Sequence, residues 1–133
     1  MNKIVATISQ IHNIDNLNIV EFDFENMKLK MMSLDLSNDI KVGQKVILTV
    51  KPTNVAMAKN LQGDLSYSNQ IPTDVEKIEE GKLLTVVNTK TKNTKLQSIF
   101  TSSSLKRMNI KQNDKVTLLF KASDLSILEV IND

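Results

Sequence analysis

The sequence predicts an all-β protein made of two tandem copies of one small barrel or sandwich. Three observations carry this. Ile40–Val55 (IKVGQKVILTVKPTNV) returns seventy positions later, without a gap, as Ile110–Leu125 (IKQNDKVTLLFKASDL). Short apolar segments alternate with turn residues at regular spacing, the pattern of small all-β domains. Those segments are rich in Val, Ile and Thr, which suit a pleated, half-buried surface. A repeat of this kind means one structural unit used twice, here residues 1–58 and 59–133.

The elements follow in order. Lys3–Ile11 reads as a strand and His12–Asn16 as a polar loop. Leu17–Phe24 and Met27–Met31 alternate with period two around the tight turn Glu25-Asn26, a β-hairpin. Ser33–Asp39 has room for one helical turn at most. Val42-Gly43 turns into the strand Lys45–Val50, and Pro52, which lacks a ladder donor, belongs at a strand end. In the second copy, Ser66–Glu80 contains Asn69-Gln70-Ile71-Pro72 and reads as an inserted loop. Lys82–Thr89 and Lys95–Phe100 are strands around a turn at Thr91–Asn93. Thr101–Met108 opens with an N-cap residue type and ends on the basic pair Lys106-Arg107, so it reads as a short helix. Lys115–Phe120 and Asp124–Val130 are the closing strands.

Composition narrows the function. The chain has 133 residues, a net charge of +2 and 24% charged residues, too balanced to imply a polyanionic partner. Lys90, Lys92 and Lys95, separated by Thr and Asn, read as a solvated hairpin. Aromatics are only 4%, few for a barrel that stacks single-stranded bases. There is no cysteine, hence no disulfide framework or thiolate chemistry. The N-terminal stretch has no signal-peptide pattern, and no apolar run approaches the ~20 residues of a membrane-spanning helix. A cytoplasmic protein is compatible with all of this.

His12 is the sole histidine. No other His or Cys exists to complete a metal site with it, and it reads as a solvent-exposed loop residue. Glu76, Glu79 and Glu80 read as a solvated face. No phosphate-loop, dinucleotide or hydrolase motif is present, so neither catalytic residues nor an enzymatic role are expected. Two constellations remain. Thr101-Ser102-Ser103-Ser104 stands at the helix start, where free amides and the dipole favour an anion and Thr101 and Ser104 share one turn. Plain N-capping is the competing explanation. Lys121-Ala122-Ser123 sets a compact charge beside small residues that leave the backbone open to an anion. A surface lysine at a strand end is the competing explanation there.

Val116–Leu128 (VTLLFKASDLSIL), together with Phe100–Leu105 and Met108–Lys111, resembles the Mop, or TOBE, domain family. The family pattern is Thr-x-x-Ser at a helix start, then Leu-x-x-Gly, a strand, and Lys-Ala/Ser-Ser/Thr-x-Val. It falls here on Thr101–Ser104, on Ile110–Asn113 with Asn113 in the Gly position, and on Lys121–Leu125. The family's opening motif, Ser-Ala-Arg-Asn-x-Leu-x-Gly, is similar to Met57–Gly63, with Met57 for Ser and Lys59 for Arg. In the first copy the lysine step is Lys51-Pro52-Thr53.

The resemblance implies two tandem OB-like barrels of about five short strands and a short helix each, with strands exchanged between chains. It implies a homo-oligomer, a dimer or trimer, that binds molybdate or tungstate at interfaces between units for storage, buffering or sensing. Amides, hydroxyls and lysine would hold the oxyanion without direct metal coordination, and no organic cofactor, nucleic acid or membrane is implied. The residues it marks are Thr101, Ser104, Lys121, Ala122 and Ser123, then Lys59 and Asn60, then Lys51 and Thr53. The alternatives are a ligand-free regulatory or interaction module of a molybdate transport system and an OB-fold nucleic-acid binder.

Overall fold

A computed structural model describes residues 1–131. Among them are ten strands: β1 (Asn2–Ile14), β2 (Leu17–Phe24), β3 (Met27–Ser33), β4 (Lys45–Val50), β5 (Ala56–Ala58), β6 (Asn69–Glu80), β7 (Leu84–Thr91), β8 (Thr94–Thr101), β9 (Lys115–Phe120) and β10 (Ser126–Ile131). One helix, α1 (Ser102–Met108), follows β8, and 3₁₀ turns at Pro52–Asn54 and Ala122–Asp124 follow β4 and β9. The strands form two five-stranded antiparallel sheets, ordered β10-β4-β1-β2-β3 and β5-β9-β6-β7-β8. Each half of the chain lends its last strand to the other. β5 pairs with β9, and β10 pairs with β4. The strand exchange therefore occurs inside one chain.

The duplication extends further than the seventy-residue repeat. β6, β7 and β8 begin sixty-seven positions after β1, β2 and β3 and carry nearly the same burial patterns. β9 begins seventy positions after β4. The three extra positions fall between the third and fourth strands of the second half, where α1 sits. The first half has turns and bends there, at residues 34–44, and no helix. Both copies bulge at the same place, between Ile8 and Gln10 and between Val75 and Lys77. A left-handed residue opposite closes each bulge. Gly43 (φ 94°) donates to the Ile8 carbonyl and Asn113 (φ 73°) to that of Val75, each at 2.8 Å.

Residues 69–80, read from sequence as an inserted loop, are the second copy's long strand. The alternation is present: Asn69, Ile71, Thr73 and Val75 point inward while Gln70, Pro72 and Asp74 are exposed. Pro72 is tolerated because pairing with β7 begins only at Asp74, so no ladder bond is lost on that side. β1 likewise runs through the expected loop at His12 to Ile14, leaving Asp15 (φ 57°) and Asn16 as the turn.

One apolar cluster runs through both halves. It joins Ile4, Ile8, Phe22, Leu29 and Leu48 to Ile71, Leu96, Leu118, Phe120 and Leu125. A smaller cluster under α1 holds Val75, Val87, Leu105, Ile110 and Val116. Two buried asparagines tie the halves together. Asn2, at the start of β1, accepts from the Gln97 amide (2.7 Å) and donates to its carbonyl (3.0 Å) on β8. Asn69, sixty-seven positions on, does the same to Lys30 on β3 at 2.8 and 3.0 Å. A side-chain amide matches one backbone step of donor plus acceptor, so each asparagine acts as an extra rung on the edge strand of the opposite sheet.

Asn69→Ala removes two bonds and strands the Lys30 amide and carbonyl. Unfolding in urea should register a loss of about 2–4 kcal/mol, and a loss below about 0.5 kcal/mol would contradict the clamp. Thr73 carries a buried hydroxyl without a partner, where the first copy has Ala6. Thr73→Val should raise stability by about 1 kcal/mol in the same assay, because it removes a desolvated hydroxyl at equal shape.

Candidate functional site

Lys121 leaves the sheet directly after the buried Phe120 and caps the turn Ala122–Asp124 in an extended conformation (φ −80°, ψ 151°). The turn closes when the Asp124 amide donates to the Lys121 carbonyl at 3.0 Å. Among the described residues, the Ala122 and Ser123 amides take no backbone partner. Lys121, Ala122 and Ser123 line a cleft of about 430 Å³ with Met32 of β3 and Ser66, Tyr67 and Ser68 of the segment entering β6. The Asn69 clamp lies beneath it. Asn69 follows Ser68, pairs in register with Phe120, and grips Lys30 two residues before Met32. Gln70 donates to the Tyr67 carbonyl at 3.0 Å and steadies the loop. The lining offers one ammonium, three serine hydroxyls and two turn amides, and no carboxylate.

The first-copy step, Lys51-Pro52-Thr53, makes an equivalent 3₁₀ turn. Lys51, Pro52 and Asn54 line a different cleft of about 550 Å³ with Met1, Ser123, Asp124 and Ser126. Thr53 is exposed and does not line it.

The hydroxyl run Thr101–Ser104 has local partners throughout. Thr101 is the N-cap of α1: its hydroxyl accepts from the Ser104 amide at 3.3 Å and donates to Ser104 Oγ at 3.0 Å. Ser102 is buried, donates to the Gly81 carbonyl (2.7 Å) and bonds Thr85 Oγ1 (2.8 Å), anchoring the helix to the β6–β7 connection. Ser103 contacts Thr101 at 3.2 Å, and Ser104 accepts from Arg107 at 3.1 Å. Thr101 thus caps and Ser102 anchors the helix, while Thr101 and Ser103 stay exposed. The run also stands at the far end of the barrel from Lys121. Thr101 pairs with Leu84, beyond the end of β6 at Glu80, whereas Lys121 follows the partner of Asn69 at its start. Twelve residues of strand separate these ends by roughly 35 Å along its length.

Lys59 is committed elsewhere. Its ammonium donates to the Asn109 carbonyl at 2.7 Å, capping the C-terminus of α1, and pairs with Asp114 at 3.1 Å. Asn109 ends the helix in the left-handed region (φ 53°). Asn60 (φ 58°) lines a separate cleft that also contains Lys90, Lys92 and Lys115. Of the nine residues marked from sequence, the structure gathers Lys121, Ala122 and Ser123 into one place. Ser66, Tyr67, Ser68 and Met32 join them there and were missed. Two serines around the only tyrosine, just before the true start of β6, are the signal that a correct reading of that strand would have exposed.

Elsewhere, exposed His12 pairs with Glu21 at 2.7 Å on the β1–β2 hairpin. Among the described residues no group of three or more His, Cys, Asp or Glu could hold a metal ion. Phe22, Phe24 and Phe120 are buried, which removes them as stacking platforms for bases.

The Lys111 amide, followed by the Lys59 ammonium, holds the Asp114 carboxyl below the ordinary aspartate range. A lowered carboxylate pKa adds stability that is complete above the ordinary aspartate value and disappears as pH falls through the lowered one. Lys59→Ala should therefore be less stable than the parent at neutral pH, and the gap should narrow in acid to what the lost Asn109 bond alone contributes. A gap independent of pH would contradict the pairing.

The TOBE domain family matches residues 65–127. No curated protein matches the sequence. In three dimensions the chain is similar to ModG, described as a cytoplasmic molybdate-binding protein, in a crystal form with molybdate bound. The TM-score is 0.89 at 20% identity, covering 95% of this chain and 94% of that one. The second half of the chain thus matches the TOBE domain family, and nearly the whole length shares the two-barrel fold of ModG.

Proposed function

We propose that this protein binds molybdate, or the isosteric tungstate, in the cleft between Lys121–Ser123 and Ser66–Ser68. The observation that carries the reading is a lysine step with two free amides, facing serine hydroxyls, in a cleft without a carboxylate. A tetrahedral dianion presents oxygens that accept hydrogen bonds on every side. The Ala122 and Ser123 amides and the Ser66, Ser68 and Ser123 hydroxyls supply donors, and Lys121 supplies charge. Bonds with one charged partner are shorter and about twice as strong as neutral ones. The resemblance to ModG, which is described as binding molybdate, supports this choice of oxyanion.

The role is storage, buffering or sensing in the cytoplasm, with no chemical step. A homo-oligomer, as the family resemblance implies, would bring a second copy of the chain to such a site. Among the described residues no helix is long and apolar enough to cross a membrane.

Calorimetric titration of the folded protein with molybdate, tungstate and sulfate tests the reading. Molybdate and tungstate should give saturable heat and sulfate much less. Lys121→Ala should weaken molybdate binding by about 1.5–3 kcal/mol, roughly ten- to a hundredfold. Absence of molybdate and tungstate heat, or an unchanged affinity in Lys121→Ala, would refute it.

A further inference from the structure

We propose that the two repeats are unequal toward oxyanions: the Lys121 step holds the anion, the Lys51 step does not, and Pro52 is the residue chiefly responsible. The inference rests on the molybdate reading above and deepens it by assigning the ligand to one repeat.

Pro52 stands seventy positions before Ala122, at the first residue of an equivalent 3₁₀ turn. Proline has no N–H. The pair of free amides at Ala122 and Ser123 is thus reduced in the first copy to Thr53 alone. The surroundings differ in the same direction. Asp124 lines the cleft beside Lys51 and brings a carboxylate to it, whereas no acid lines the cleft at Lys121.

The first-copy turn has a structural task instead. Proline at the first position of a turn presets its backbone, and the turn closes through Asn54 N to Lys51 O at 2.9 Å and Val55 N to Pro52 O at 3.2 Å. The Val55 carbonyl then accepts from the buried Ser98 hydroxyl of β8 at 2.6 Å. The architecture of the repeat is kept while the donor set is lost.

Sodium molybdate titrated into the full chain tests the assignment through two exposed lysines and an exchange of the turn residue. Lys51→Ala should leave the affinity within about twofold, while Lys121→Ala lowers it by about tenfold or more. Ala122→Pro, which leaves the turn residue type compatible with the fold, should also weaken binding. Pro52→Ala combined with Asp124→Asn should add a second, weaker set of sites. Equal losses from Lys51→Ala and Lys121→Ala, with circular dichroism showing both folded, would overturn the assignment while leaving molybdate binding intact. An absence of molybdate heat in the parent would overturn the molybdate reading and this assignment with it.

Discussion

The asparagine clamp is the interaction on which the rest depends. Each barrel has an edge strand, β3 or β8, whose backbone groups face the other half of the molecule. A buried edge with unpaired amides costs about 1–3 kcal/mol per group. Asn69 and Asn2 satisfy one donor and one acceptor on each edge with the same side-chain geometry. They work because of the exchange of β5 and β10. That exchange presses the two barrels together and makes one apolar cluster out of residues from both halves. Neither half has a complete sheet alone, so the duplicated chain folds as one body.

The candidate site follows from that junction. Ser68 precedes Asn69, Phe120 is its register partner, and Lys121 comes next. Fixing Asn69 against Lys30 therefore sets the serine loop, the lysine step and Met32 in one place. The same clamp at Asn2 sets the Lys51 step, but there the chain has substituted proline and left a carboxylate nearby. Duplication preserved the scaffold at both positions while the chemistry of the two turns diverged.

Much of this was legible in the sequence. The ungapped repeat located β4 and β9 to the residue, and the capping pattern at Thr101 located α1. The repeat was hidden upstream because three added residues shift its spacing to sixty-seven, and because Pro72 reads as a strand breaker. It is harmless only where β6 has no neighbour on one side, a fact of topology and not of local propensity. Losing β6 meant losing Asn69 and the serines beside it. Thr101–Ser104 illustrates the opposite problem. A run of hydroxyls at a helix start fits anion binding and capping equally well in sequence, and the partners at Gly81 and Thr85 assign an anchoring task to Ser102. Lys59 was marked by its place in a motif, and its bonds to Asn109 and Asp114 give it a structural task.

The proposed function makes a positional prediction: the oxyanion should sit over the Asn69 clamp, beside Lys121–Ser123. Anomalous diffraction at the molybdenum absorption edge, from crystals grown with molybdate, tests this directly. The account predicts a peak within hydrogen-bond reach of the Ala122 and Ser123 amides and none at Pro52-Thr53. A peak at Thr101–Ser104 with none at Lys121 would contradict it.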